Sequence, residues 1–545
     1  MASLELVLAM LLAVVASGYL VRMLPFALPL PLAQIALGAV IAGGFGHGVT
    51  LEPDIFFLLF LPPLLFLDGW RIPKEGLFRD KAVILELAFG LVLFTVVGAG
   101  FLIHWLLPML PLPVAFALAA IVAPTDPVAL SSITKRVPMP RRLLHILEGE
   151  SLLNDATGLV CFRFAVAAAV TGKFSPTTAS LTFVWVALAG IASGAAVTAT
   201  IAAVQRFLVR RFGEETSSPI LINLLTPFGA YLVAETIGAS GILSAVAAGV
   251  AMSYVELNGR ASAATRVQRT AVWDTVQFTL NGVMFVLLGE QLPDIVQGAI
   301  GAPGSASAIH PFWLVMNALA ISFGLMLLRF VWVWVSLRIS LFKARAQGKA
   351  DTPKPRFRLV LATSLAGVRG GITMAGILTL PLVVASGAPF PGRHLAIFMA
   401  TAVIVVSLIL ASVALPRLLR GLELPDEDQP SVEEELGRRA AALAAMAKLD
   451  SIEELRDHQH EHAEIHENAL THMQSNYRHR LSGGAANSND PARMRIADVT
   501  EQKLRLAALQ AERDALTSLV KDKKISDETG RKLIREVDLV EARYR

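Results

Sequence analysis

Gly149-Glu150-Ser151-Leu152-Leu153-Asn154-Asp155 sets two carboxylates, a hydroxyl and an amide inside an apolar run that extends from His145 to about Val170. No turn chemistry interrupts that run, so it reads as one helix of membrane-spanning length. On a helix Ser151 and Asp155 are four apart and share a face, and Glu150 and Asn154 share the adjacent one. An ionisable group at membrane depth is costly to keep there, and its default reading is functional. The plainer alternative is a buried carboxylate satisfied by a structural partner, which weighs more on Glu150 than on Asp155.

The composition around this stretch agrees with a bilayer setting. The chain has 545 residues, 54% of them hydrophobic and 17% charged. Its one cysteine, Cys161, excludes an internal disulfide and a cysteine metal cluster. The opening Met-Ala-Ser-Leu-Glu-Leu lacks a basic n-region and reads as a retained first span, not a cleaved leader. Gly172-Lys173 is followed by Phe174 and lacks the upstream glycine of a phosphate loop, which argues against an ATP-driven pump. No catalytic set points to an enzyme, and nothing asks for a cofactor, a resident metal or a nucleic acid.

Apolar segments fall near residues 4–24, 26–45, 51–70, 82–107, 112–130, 145–170, 180–208, 218–237, 241–255, 271–292, 312–339, 359–384 and 395–419. They predict an all-α polytopic membrane protein of about 13 spans. The basic residues test that count. Alternate connections carry Arg22, then Arg71 to Lys81, Lys135 to Arg142, Arg206 to Arg211, Arg260 to Arg269, and Arg338 to Arg358. The intervening ones carry only Lys173 and Arg393. Such asymmetry places the N-terminus outside and everything after Leu419 inside the cell. A miscounted span in the middle would scramble the alternation.

The fifth span ends in Ala123-Pro124-Thr125-Asp126-Pro127. Two prolines remove two backbone donors and disfavour helix at the residue before each. A break around an aspartate at membrane depth must line a cavity or be buried in protein, and its freed carbonyls can bind a cation. A proline kink in a packing helix is the alternative. The twelfth span carries Ala366-Gly367-Val368-Arg369-Gly370-Gly371, where three glycines weaken the helix around a fixed cation. Spans five and twelve are seven apart, so they run in opposite directions. That predicts two inverted repeats, spans one to six matching eight to thirteen. A buried Arg369 needs an anion, and Glu150, on the face turned away from Ser151 and Asp155, is the first candidate.

Pro124-Thr125-Asp126-Pro127, the Gly149-Glu150-Ser151-x-x-Asn154-Asp155 helix and Val368-Arg369-Gly370-Gly371, in this order, resemble the NhaP-type cation:proton antiporters of bacteria and archaea, relatives of the eukaryotic sodium/proton exchangers. The resemblance covers about residues 4–422. It implies a homodimer in a bacterial inner membrane, with a dimerisation part and a moving core part. It implies electroneutral, elevator-like exchange of sodium for a proton, serving pH and sodium homeostasis. By motif, Asp155 is the shared ion and proton carboxylate. Ser151, Asn154, Asp126 and Thr125, the last through its backbone, complete or support the site. Glu150 and Arg369 become a structural ion pair between spans six and twelve. Leu64-Leu65-Phe66-Leu67-Asp68-Gly69 also resembles a family pattern, making Asp68 an additional ligand or else a solvated helix end.

The chemistry of Asp155 fits that role. A sodium ion wants several oxygen ligands and one compensating charge, which a carboxylate, hydroxyls and carbonyls supply. The same carboxylate can carry a proton instead, and one site with two competing occupants gives obligatory exchange. Asn154 is not ionisable, which leaves one titrating group at this step and suits one-for-one stoichiometry. Potassium or lithium in place of sodium remains open at this level. A cation channel or an organic-solute transporter is the alternative class. Channels commonly ring a symmetric pore, and an organic solute wants a larger pocket than this ion-sized set. Of the other intramembrane charges, Glu86, Glu235 and Arg329 read as snorkelling or interface-pairing groups, whereas Arg163 sits where it could set the potential on the outer side of the ion path.

Three domains are expected: a transmembrane antiporter domain over 1–422, a linker over 423–430, and a cytosolic helical regulatory or dimerisation tail over 431–545. Ser431 with Glu434 forms a capping box, and an apolar seam follows from Leu436 to Leu455. His458, His462 and His466 line one helix face, among further histidines at 460, 472 and 479. That face is a solvated surface, a pH-responsive element or a transition-metal site.

Overall fold

The helices end at some of the prolines and glycines that punctuate the apolar runs and pass through others, Pro62, Pro63, Pro227, Pro293 and Pro416 among them. In the computed structural model α1 is Ala2–Met23, α2 Leu30–Phe45, α3 Pro53–Arg71, α4 Lys81–Leu106 and α5 Leu112–Val122. They are followed by α6 Arg141–Thr171, α7 Pro176–Phe212, α8 Ser217–Thr236, α9 Gly241–Leu257 and α10 Ala263–Ile300. Next come α11 Pro311–Ala346, α12 in two halves, Phe357–Leu365 and Gly371–Leu378, and α13 Arg393–Leu419. The structure describes residues 2–24, 28–45, 53–72, 74, 79–126, 141–172, 176–213, 217–257, 263–300, 310–346, 357–384, 387–420, 439–450, 471, 473–475, 504, 506–519, 522 and 527–541. Eight of the described helices are long and apolar enough to cross a membrane, and α2, α5 and α9 are shorter apolar helices.

Helix boundaries differ from the sequence reading in two ways. The apolar run of the twelfth span reaches residue 384, but its helix stops at Leu378. Pro381 disfavours helix at Leu380, and the chain turns back through a single bridge between Val383 and Pro389. Helices α7, α10 and α11 have 37, 38 and 36 residues. At 1.5 Å per residue each is roughly 55 Å long, well beyond an apolar core of about 30 Å.

The packing shows the repeat. Adding seven to a helix number turns several contacts into others: α1–α2 into α8–α9, α4–α5 into α11–α12, α5–α6 into α12–α13, and α4–α6 into α11–α13. The pairs α2–α10 and α3–α9 exchange with one another, and α4–α11 maps onto itself. An odd offset reverses direction across the membrane, so the two halves are inverted repeats. Helix α7 lies outside the repeat and packs on α8 and α9. The molecule sorts into two groups, α4–α6 with α11–α13, and α1–α3 with α7–α10.

The two exchanging contacts use glycine in the same way. A Cβ on Gly38 would run into the Val286 carbonyl and one on Gly289 into that of Ile35, across α2–α10. Across α3–α9, Gly69 meets the Val246 carbonyl and Gly249 that of Phe66. Small residues let membrane helices approach backbone to backbone, where packing supplies the association energy. Gly249→Val is therefore expected to lower thermal stability by about 1–3 kcal/mol, the cost of overpacking. Thermal unfolding in detergent checks this; a midpoint equal to the parent's would show that α3 and α9 have room to part.

The chain divides into two compact units, Met1–Leu422 and Glu423–Arg545. In the second, residues 439–450 and 506–519 are helical, followed by α14, Asp527–Glu541. Arg513 binds Asp538 at 2.7 Å and also Glu541, and these bonds, Glu541 first, raise its already high pKa. The linker 423–430, the Ser431–Glu434 capping box and His458, His462 and His466 lie outside the described residues.

Candidate functional site: two crossed helix breaks beside α6

Helix α5 stops at Val122 because Pro124 and Pro127 cannot donate to a continuing ladder. Its last carbonyls are left without helical partners. Arg369, from the break in α12, reaches them: its Nε donates to the Val122 carbonyl at 2.9 Å. The same guanidinium donates through Nη1 to the carbonyl of Gly367. The two breaks also bond backbone to backbone, the Asp126 N–H donating to the Val368 carbonyl at 2.7 Å. Ser407 of α13 accepts from the Arg369 N–H at 3.2 Å. Asp126 completes the crossing. A Cβ on Gly370 would run into its carboxylate, so this acid lies at the start of the second half of α12. A helix start is electropositive and a helix end electronegative, so the acid and the base sit at the favourable ends.

Helix α6 lines this crossing. Ser151 Oγ donates to the Thr125 carbonyl at 2.7 Å, and Asn154 Nδ2 donates to Thr125 Oγ1 at 3.0 Å. Thr125 is thus held through both its backbone and its hydroxyl. Oδ1 of Asn154 is buried with no hydrogen-bond donor among the described residues. Asp155, one residue on, is 4% exposed. Asp68 of α3 is half-buried, and Asp155 lies within electrostatic reach of both Asp126 and Asp68. A buried carboxylate needs a compensating partner, and a cation can be that partner. Thr125, Asp126, Ser151, Asn154, Asp155 and Asp68 therefore meet in one region, drawn from α3, α6 and the break after α5.

One expected contact is replaced by another. Glu150 does not pair with Arg369. Its two oxygens accept from Nη1 and Nη2 of Arg329 at 2.6 and 2.7 Å, in a bidentate pair 1% and 3% exposed. Arg329 Nε also donates to the Thr363 carbonyl at 3.2 Å, which ties α11 to both α6 and α12. The reason is reach: α4 and α11 pack at the centre of the pseudo-symmetric group, bringing α11 to the Glu150 face of α6. Arg369 spends its donors on carbonyls of the breaks instead. Arg329, which reads from the sequence as a snorkelling or interface-pairing group, is instead buried and paired. The signal against that reading is its place, in Leu327-Leu328-Arg329-Phe330, 18 residues past the start of α11 and far from either end. Arg163 of α6 and Glu235 of α8 meet at 3.4 Å.

Sequence and structure comparisons place this arrangement among known transporters. The profile of the transmembrane sodium/hydrogen exchanger family matches residues 8–421. The uncharacterized Na(+)/H(+) exchanger YjcE of Escherichia coli is 40% identical over 541 residues, 98% of each chain. The sodium, potassium, lithium and rubidium/H(+) antiporter of Bacillus pumilus is 43% identical over 414 residues, 75% of this chain and 60% of the relative. In fold, the sodium proton antiporter MjNhaP1 of Methanocaldococcus jannaschii matches with a TM-score of 0.56 at 18% identity, over 77% of this chain and 99% of the other. An integral membrane protein with two crossed helix breaks beside a buried aspartate, the chain belongs to the sodium/hydrogen exchanger family of monovalent cation/proton antiporters.

Proposed function

We propose that the protein exchanges sodium, or another monovalent cation such as potassium or lithium, for protons, one for one and without net charge movement. The observation that carries this is Asp155, a buried acid one residue from Asn154, whose amide bonds Thr125 and whose Oδ1 meets no donor among the described residues. Sodium as substrate draws on the family and on the Escherichia coli relative; a wider cation range draws on the name of the Bacillus relative. Asp155 holds a proton or a cation in turn. Asp126, Thr125, Ser151 and Asn154 hold the site's geometry or supply oxygens, and Asp68 is an additional acid on the path. The division into two helix groups supports an elevator-like alternation, in which α4–α6 and α11–α13 move against α1–α3 and α7–α10. The protein works as a homodimer in a bacterial inner membrane, with the N-terminus outside. The tail, 431–545, is a cytoplasmic regulatory or dimerisation element, and His458, His462 and His466 are candidates for tuning it by pH.

Competition for one carboxylate gives a specific pH dependence. At low pH protons exclude the cation, and at high pH protons are too scarce for the return step. Activity is therefore expected to be bell-shaped in pH, with the acidic limb moving to lower pH as cation rises. Tail histidines would instead change a maximal rate that cation cannot restore. Proton flux in proteoliposomes, measured across a pH series at several sodium concentrations on full-length protein and on protein truncated after Pro430, separates these. An acidic limb that stays fixed as sodium rises removes Asp155 as the shared site. Loss of all pH dependence on truncation moves the sensor to the tail.

A further inference from the structure

The geometry points to Arg163 as a positioning residue that holds α6, the helix carrying Asp155, against the α8–α9 corner in one of the two transport states. This rests on the antiport reading above.

Three observations carry it. Arg163 lies eight residues before the end of α6 at Thr171. At 1.5 Å per residue that is roughly 12 Å inside the helix end, so its guanidinium must reach along the helix toward the polar surface. It ends on a carboxylate of another helix, Nη2 donating to Glu235 Oε1 at 3.4 Å. The same Glu235 oxygen accepts from the N–H of Gly241, the first residue of α9, at 3.3 Å. A carboxylate at a helix start is well placed and not free to follow a moving partner.

The corner that holds Glu235 is fixed from several sides. Gly238 turns the chain at φ 68°, a conformation that favours glycine, and its N–H donates to the Glu235 carbonyl at 3.1 Å. The Ser240 N–H donates to the Val186 carbonyl at 3.1 Å and binds the corner to α7. Helix α6 itself packs chiefly on α4 and α5, in the other helix group. The Arg163–Glu235 pair is thus an ionic bond between the group that carries the site and the group that does not. An alternation of one group against the other must lengthen or break it.

An interaction present in one state only shifts the balance between states and cannot shift it the same way at both faces. Arg163→Gln removes the bond, and Arg163→Glu sets two carboxylates against each other. The apparent cation constant is then expected to rise at one face of the membrane and fall at the other, by about threefold to fivefold for Arg163→Gln, the scale of a partly exposed pair. Arg163→Glu should exceed it, and Arg163→Lys should stay near the parent. Sided flux assays in oriented vesicles, with sodium varied on one face at a time, measure both constants, and thermal unfolding confirms that each variant is folded. A double-mutant cycle of Arg163→Gln with Glu235→Gln should show the two effects to be non-additive. Constants that stay unchanged, shifts of the same sign at both faces, or additive effects overturn the proposal. Asp155→Asn runs in the same assay. If that variant still transports, the underlying site assignment has failed; if it is dead while Arg163 variants behave as parent, only the positioning role has.

Discussion

Asp155→Asn is expected to abolish cation-dependent proton flux, down to the level of empty proteoliposomes, while leaving a folded protein in the membrane. The substitution keeps the volume of the side chain and removes its charge and its proton. The hydrogen bonds that hold the site do not pass through this residue: Ser151 still donates to the Thr125 carbonyl, and Asn154 to the Thr125 hydroxyl. A neutral side chain of the same shape at a position 4% exposed carries a smaller desolvation cost than a carboxylate, so stability should stay equal or rise. A variant equal to the parent in thermal unfolding and dead in flux is the result that fits. Substantial sodium-driven proton flux in Asp155→Asn would move the exchange step to another carboxylate, with Asp126 and Asp68 next in line.

The spans and the two breaks were legible because each rests on local chemistry. Pro124 and Pro127, two missing donors within four residues, weaken the ladder at the end of the fifth span, and 20-residue apolar runs separated by basic loops leave few ways to count. The repeat was legible from one number, the offset of seven between the breaks. The partner of Glu150 was not. Two arginines, Arg329 and Arg369, lie in the second half of the chain at comparable depth, and sequence offers no distance between helices six, eleven and twelve. The choice is made by the α4–α11 contact and by what else each guanidinium can satisfy. Arg369 sits where carbonyls of two broken helices need donors, and a buried unmet carbonyl is itself costly. Arg329 sits on an unbroken helix, donates Nε to the Thr363 carbonyl and gives both terminal nitrogens to the carboxylate. The crossing bond from the Asp126 N–H to the Val368 carbonyl was equally out of reach, since backbone pairing between distant breaks leaves no residue signature.

That difference in partners gives the second large effect. Glu150→Ala strands Arg329 as a buried cation whose two carboxylate bonds are gone. Breaking a buried ion pair from one side costs about 3–5 kcal/mol, because the remaining charge stays desolvated and unpaired. The cost should be severe here, with a second buried guanidinium, Arg369, bonded to the Gly367 carbonyl next to Arg329; a Cβ on Gly367 would touch Arg329 Cδ. A single variant can fail to accumulate, so the informative comparison is between double variants. Glu150→Leu with Arg329→Met removes both members of the observed pair and puts apolar groups of similar size in a dry site. Such replacements are often neutral or stabilising, so most of the lost stability should return. Glu150→Leu with Arg369→Met leaves Arg329 stranded and also uncaps the Val122 carbonyl at the end of α5, so it should be no more stable than the single variant. Thermal unfolding of the purified proteins ranks them. If the Arg369 double variant recovers stability and the Arg329 one does not, Glu150 is balanced by the break in α12 and the α6–α11 pair is not what holds it.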